Sequence, residues 1–219
     1  MSEDKAEIQT IPQEKIHPSA ERIKHLRHQI YERKEAVRRI FRKSGSEPTQ
    51  RELINLAGEH LRQEMESDYD VLTGVLNRNG FEKQKKIAIQ RSQEQDSPIA
   101  IASIDLDDLK RTNDTLGHTA GDLYLKNAAN ALLAASRTTD IPARIGGDEF
   151  QVLLMNTTPE FAKAWKERVV KEMDERGVKA SIGIEPIDLS NVEESINKAD
   201  QKMYEEKRSK KTVSLETNP

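Results

Sequence analysis

The chain contains no cysteine, so disulfides, thiolate metal centres and thiol nucleophiles are excluded from its chemistry. Aromatic residues are scarce, with one Trp, four Tyr and four Phe among 219 residues, which leaves a core built mainly from aliphatic side chains. No apolar run reaches the length a bilayer demands, and the start Met-Ser-Glu-Asp-Lys lacks the apolar centre of a secretory signal. A sequence without a targeting or transmembrane segment is expected in the cytoplasm. Charge of one sign is also missing: 35 basic residues against 38 acidic ones give a formal charge of −3, so nucleic acid is not an expected partner. Charge itself is abundant, at 33% of all residues, and describes a soluble protein with room for one medium domain and an appendage.

The appendage is expected over residues 1–66, the domain over 67–212 and a flexible tail over 213–219. From Ile23 the apolar positions Ile23, Leu26, Ile30, Val37 and Ile40 recur at three-and-four spacing, interrupted by Arg33. The stretch suits a short coiled coil that would dimerise the chain or pass a signal. Between Glu21 and Lys43 nine basic residues face three acidic ones, so an anionic surface or a protein partner is a second expectation, and simple packing on the chain's own domain a third. Thr49 and Glu52 have capping-box spacing and open a second helix through Leu53, Ala57, Leu61 and Met65. His25 and His28 could share a helix face as metal ligands, but no third ligand accompanies them.

Beyond residue 67 helical and extended patterns alternate. Helices are expected at 80–95, 123–135, 159–175 and 192–208, and strands at 99–104, 141–145, 150–155 and 178–184. The order mixes a hairpin with crossovers, which predicts an α+β (α/β) fold, an antiparallel-containing sheet with helices packed against it. Asp105 then falls at a strand end, where open sheets commonly place ligands.

The hairpin between the second and third strands reads Gly146-Gly147-Asp148-Glu149-Phe150, after Ala143-Arg144-Ile145. Two glycines allow a sharp turn and a close approach of phosphate, and two adjacent acids offer oxygens to a hard cation. Taken alone the string reads equally well as a plain hairpin. Four other stretches accompany it in order. Asp70 to Phe81 reads Asp-Val-Leu-Thr-Gly-Val-Leu-Asn-Arg-Asn-Gly-Phe, and Ile104 to Asp122 reads Ile-Asp-Leu-Asp-Asp-Leu-Lys-Arg-Thr-Asn-Asp-Thr-Leu-Gly-His-Thr-Ala-Gly-Asp. Ser181 to Ile184 and Ala199 to Lys207 follow. At all five places the chain resembles the GGDEF family of diguanylate cyclases, whose name is the hairpin string.

The resemblance implies the mixed antiparallel, palm-like fold of nucleotidyl cyclases and some polymerases. It implies condensation of two GTP into cyclic di-GMP and two pyrophosphates by a homodimer using Mg²⁺, with Mn²⁺ an alternative ion. By the same likeness Asp105, the Leu106 carbonyl, Asp148 and Glu149 would hold metal, with Asp148 and Lys110 acting in catalysis. Asn113, His118 and Asp122 would lie at the nucleotide. Asp122 suits guanine, because a carboxylate accepts from the N1–H and 2-amino donors that guanine presents together. Lys207 and Lys211, read as ending the last helix, would meet phosphates. Lys211 stands where the family usually has Arg and lacks its bidentate fork. Arg137 and Asp140 match the family's product-inhibition position, where cyclic di-GMP would be held away from catalysis. Asp70 and Arg78 read as a structural ion pair, and Asp200 and Tyr204 as packing residues. A catalytically silent module that binds GTP or cyclic di-GMP for signalling is the alternative.

Overall fold

In a computed structural model of the protein the described residues are 67–216, together with Asn55. The chain divides into compact units at Gly58, and all described residues but Asn55 belong to the second. The expected N-terminal helices, their coiled coil and the His25–His28 pair lie outside the described residues.

The elements run α1 (Arg78–Gln95), β1 (Ile99–Leu106), α2 (Leu109–Leu116), α3 (His118–Ala135), β2 (Ile141–Arg144), β3 (Glu149–Met155), α4 (Pro159–Asp174), β4 (Ala180–Pro186) and α5 (Val192–Glu216). They form one four-stranded sheet in the order β2-β3-β1-β4, and every neighbouring pair is antiparallel. β1 is the continuous Ile99-Ala-Ile-Ala-Ser-Ile-Asp-Leu run, and all eight of its residues are buried, as a strand covered on both faces requires.

Alternation along β1 divides its side chains between two cores. Ala100, Ala102, Ile104 and Leu106 join Leu125 and Leu132 of α3 and Trp165 and Val169 of α4. Ile99 and Ile101 join Phe81 and Ala88 of α1 and Ile196 and Ala199 of α5. Ser103 and Asp105 continue this second side, so the strand's first acid is delivered under α5 by periodicity alone. α5 itself is pressed onto β4: a Cβ added at Gly183 would lie 2.0 Å from the Ala199 carbonyl oxygen and 2.3 Å from the Met203 nitrogen. Only glycine permits that approach.

Two expected boundaries shift by more than two residues. The helix expected from Leu123 begins at His118, because Gly117 at φ +83° breaks the chain direction between α2 and α3 and the polar turn after it is already helical. The last helix continues past Arg208 to Glu216. Lys207 and Lys211 therefore lie inside α5 and not at its end. Among the described residues no helix is long and apolar enough to cross a membrane.

Candidate active site

Three pieces of backbone bring the acids together. Asp105, one residue before the end of β1, pairs in register with Glu149 at the start of β3 and with Ser181 on β4. The Leu106 N–H donates to the Asp148 carbonyl at 3.0 Å, fixing the strand end to the hairpin turn. The turn is closed by the Ile145 N–H donating to the Glu149 carbonyl at 2.8 Å. Arg144 braces it from β2, donating to the Gly147 carbonyl at 2.8 Å and pairing with Asp70 at 3.2 Å.

The expected ion pair of Asp70 with Arg78 is not formed. Asp70 pairs with Arg144, because β2 carries that guanidinium to the opening turn, while Arg78 Nε donates to the Ile145 carbonyl at 3.1 Å. Both arginines thus hold the hairpin in place. Thr73 completes the opening turn, its N–H and hydroxyl donating to Asp70 at 2.8 and 2.6 Å.

Asp105 is almost wholly buried, and its carboxylate pairs with the ammonium of Lys207 from α5. Burial pushes this carboxyl above its ordinary range against the hydrogen bond and charge of Lys207, and the negative charges of Asp148 and Asp107 push it the same way. Asp107 lies two residues on, where alternation returns the chain to the same side. It accepts a hydrogen bond from the Ser181 hydroxyl at 2.7 Å and lies 3.5 Å from Lys210. Sequence reasoning gave Asp107, Ser181 and Arg144 no role. The Asp-x-Asp spacing on a strand was the signal that could have found the first.

The chemistry of this set fits a hard divalent cation. The charges of Asp148 and Asp107 act on the Asp105 carboxylate, Lys207 and Lys210 answer Asp105 and Asp107, and the oxygens on offer are the type Mg²⁺ prefers, although the described residues hold no group of three or more such side chains arranged for a metal.

On the neighbouring helices Asn113 and Asp122 are brought close. The Asn113 amide oxygen lies against the first turn of α3, so close that a Cβ at Gly121 would sit 1.8 Å from it, and Asp122 follows on the exposed side. His118, first residue of α3, and Lys110, second of α2, are exposed. Lys211 is exposed on α5, one turn beyond Lys207.

Arg137 and Asp140 are not part of this cluster. They form the turn between α3 and β2, and Asp140 binds the Met155 end of β3, six residues or roughly 20 Å from Glu149. Asp140 is buried, with its two carboxylate oxygens accepting from the backbone N–H groups of Arg137 at 2.8 Å and Met155 at 3.1 Å. The Arg137 guanidinium lies 5.2 Å from the ring centre of Phe161, which is 52% exposed.

Known proteins share this arrangement. The family model described as "Diguanylate cyclase, GGDEF domain" matches residues 67–212. The chain is 36% identical over 152 residues to the probable diguanylate cyclase DgcE of Escherichia coli K12, an alignment covering 64% of this chain and 14% of that protein. It is 32% identical over 164 residues to the diguanylate cyclase DgcS of Shewanella oneidensis, covering 72% of this chain and 55% of that one. The chain thus spans about half or less of the length of these relatives. Among solved structures, the diguanylate cyclase SiaD of Pseudomonas aeruginosa in complex with its activator SiaC superposes with a TM-score of 0.63 at 27% identity, covering 87% of this chain and 75% of that one. A sensory box/GGDEF protein of Caulobacter crescentus gives 0.59 at 30% identity, covering 65% and 99%. The acids at the strand end, the Gly-Gly hairpin that meets them and the match across residues 67–212 make this chain a member of the GGDEF diguanylate cyclase family.

Proposed function

We propose that the chain condenses two GTP head to tail into cyclic di-GMP with release of two pyrophosphates, as a homodimer in which each domain contributes one GTP. The observation that carries this reading is the convergence of Asp105 with the hairpin: Asp105 faces Glu149 in register, and the Asp148 carbonyl is tied to the residue after Asp105.

Each 3′-hydroxyl must attack the partner nucleotide's α-phosphate in line, which requires positioning and neutralisation of phosphate charge. Asp105, the Leu106 carbonyl, Asp148 and Glu149 would hold Mg²⁺, or Mn²⁺ in its place, supplying charge neutralisation at the reacting phosphates. Asp148 would take the proton from the attacking hydroxyl. Lys110, Lys207 and Lys211 balance phosphate charge, Lys207 exchanging its present partner Asp105 for a phosphate oxygen. Asp122 and Asn113 hold the guanine edge, with His118 beside them. Arg137, presented on Phe161, binds the cyclic product for feedback inhibition, while Asp140 holds the turn that presents it. Residues 1–66 form the dimer or receive a protein activator or an anionic surface, in a cytoplasmic setting.

The test is base selectivity. Asp122→Ala should lower kcat/KM for GTP about 10- to 100-fold, the equivalent of ~1.5–3 kcal/mol for hydrogen bonds to a charged group, and leave residual ATP turnover unchanged. An equal fall for both nucleotides would contradict the assignment.

A further inference from the structure

α5 is fixed to β4 by the close approach at Gly183, and on the same side of the sheet β3 buries Leu153 and Met155 in the second core but leaves its Glu149–Gln151 end bordering a cleft. The cleft is about 620 Å³ and lies between β1, β3 and α5, with Arg78 and the hairpin residue Ile145 at its rim. Ser103 lines its floor and is 2% exposed. Its hydroxyl is the only buried side-chain polar atom among the described residues that has no hydrogen-bond partner. That hydroxyl is sealed from solvent, so it lies beneath the cleft floor and is not itself open to a ligand.

The walls are similarly unspent. The side chains of Gln151 from β3 and of Asp200, Tyr204 and Arg208 from α5 enter none of the ion pairs or hydrogen bonds among the described residues. Asp200 and Tyr204, expected from sequence to be packing residues, are both exposed, Tyr204 by 60%. Both lie on the helix face that borders the cleft.

We propose that this cleft binds a second guanine nucleotide, with its base on Tyr204. The lining carries both signs of charge, which suits a ligand offering donors and acceptors together and disfavours a purely apolar or purely anionic one. Tyr204 offers a flat face for stacking. Asp200 accepts from the N1–H and 2-amino groups of guanine, Arg208 donates to base oxygen or phosphate, and Gln151 serves a remaining polar atom. The volume lies within the range of nucleotide-sized pockets. An occupant would touch β3, which leads back to the hairpin, and α5, which carries Lys207 to Asp105, so its presence would be felt at the candidate active site. The choice of guanine rests on the reading of the chain as a GTP enzyme.

The test titrates the full chain, stripped of bound nucleotide, with a non-hydrolysable GTP analogue by calorimetry. The unmutated chain should bind two analogues, and Asp122→Ala should keep one. In that background Tyr204→Ala, at an exposed site that folding does not need, should weaken the remaining site by about tenfold or more. One analogue per chain, lost in Asp122→Ala and indifferent to Tyr204→Ala, would overturn the cleft and leave the GTP reading standing. One analogue indifferent to Asp122→Ala and lost in Tyr204→Ala would support the cleft and overturn the role given to Asp122. No binding at all would overturn both.

Discussion

Burial, strand alternation and the positive charge of α5 all act on one carboxylate, that of Asp105, and a comparable balance of opposing effects governs Asp70 at the opening turn. Burial alone would raise the Asp70 carboxyl, but the hydrogen bonds from Thr73 and the charge of Arg144 outweigh it and hold the group below its ordinary 3.8. A carboxylate held below its unfolded-state value contributes stability that is present above 3.8 and is lost as pH falls through the lower folded value. Asp70→Asn should therefore lower stability at neutral pH and flatten the acid limb of the stability curve below 3.8. Denaturant melts over that range would show it, and an unchanged acid slope would contradict the pairing. The motif residues were legible in the sequence because each carries chemistry a turn or strand end does not ordinarily need. Arg144 and Asp107 were not, because their roles depend on which strands become neighbours. Asp140 illustrates the same limit: the tetrapeptide from Arg137 suggests two ligand groups, but the fold uses its carboxylate to hold two backbone N–H groups.

Among the elements, α5 decides most. Its contact at Gly183 fixes it to β4, and the same helix carries Lys207 to Asp105 and lines the cleft beside β3. Gly183→Ala places a methyl about 2.0 Å from a backbone oxygen that cannot swing aside. The helix must move, at a cost of about 1–3 kcal/mol typical of overpacking, and the melting temperature should fall with it. Activity should fall further than stability, since Lys207 moves with the helix. An unchanged melting temperature would show that α5 is not held there. The same helix, with α4, also protects the sheet. The outward carbonyls of Ala180, Ile182 and Ile184 on edge strand β4 accept the ammonium groups of Lys210, Lys166 and Lys202, which deny that edge to another strand. The apolar run of β1 and the hairpin could be read directly from sequence. The early start of α3 could not, because its first turn is polar and the apolar period begins only at Leu123.

For the whole molecule, the catalytic unit within residues 67–212 was recognisable because five short strings recur in order over a single domain. The input it serves is not written in comparable form, since an amphipathic basic helix suits several partners equally. The proposed product control is the whole-molecule property most open to test. Arg137→Ala should raise the cyclic di-GMP concentration needed for half-inhibition about tenfold or more, and inhibition that is unaltered would remove Arg137 from the product site.

The central claim is that Asp105 and the hairpin together make cyclic di-GMP. It is tested most directly by incubating the nucleotide-stripped chain with GTP and Mg²⁺ at a series of protein concentrations and resolving the products chromatographically beside Asp148→Ala. The account predicts cyclic di-GMP from the unmutated chain, at a rate rising more steeply than protein concentration, and a loss of about 10²- to 10⁴-fold in the variant. GTP bound without any cyclic di-GMP at every concentration, or equal product from both chains, would contradict it.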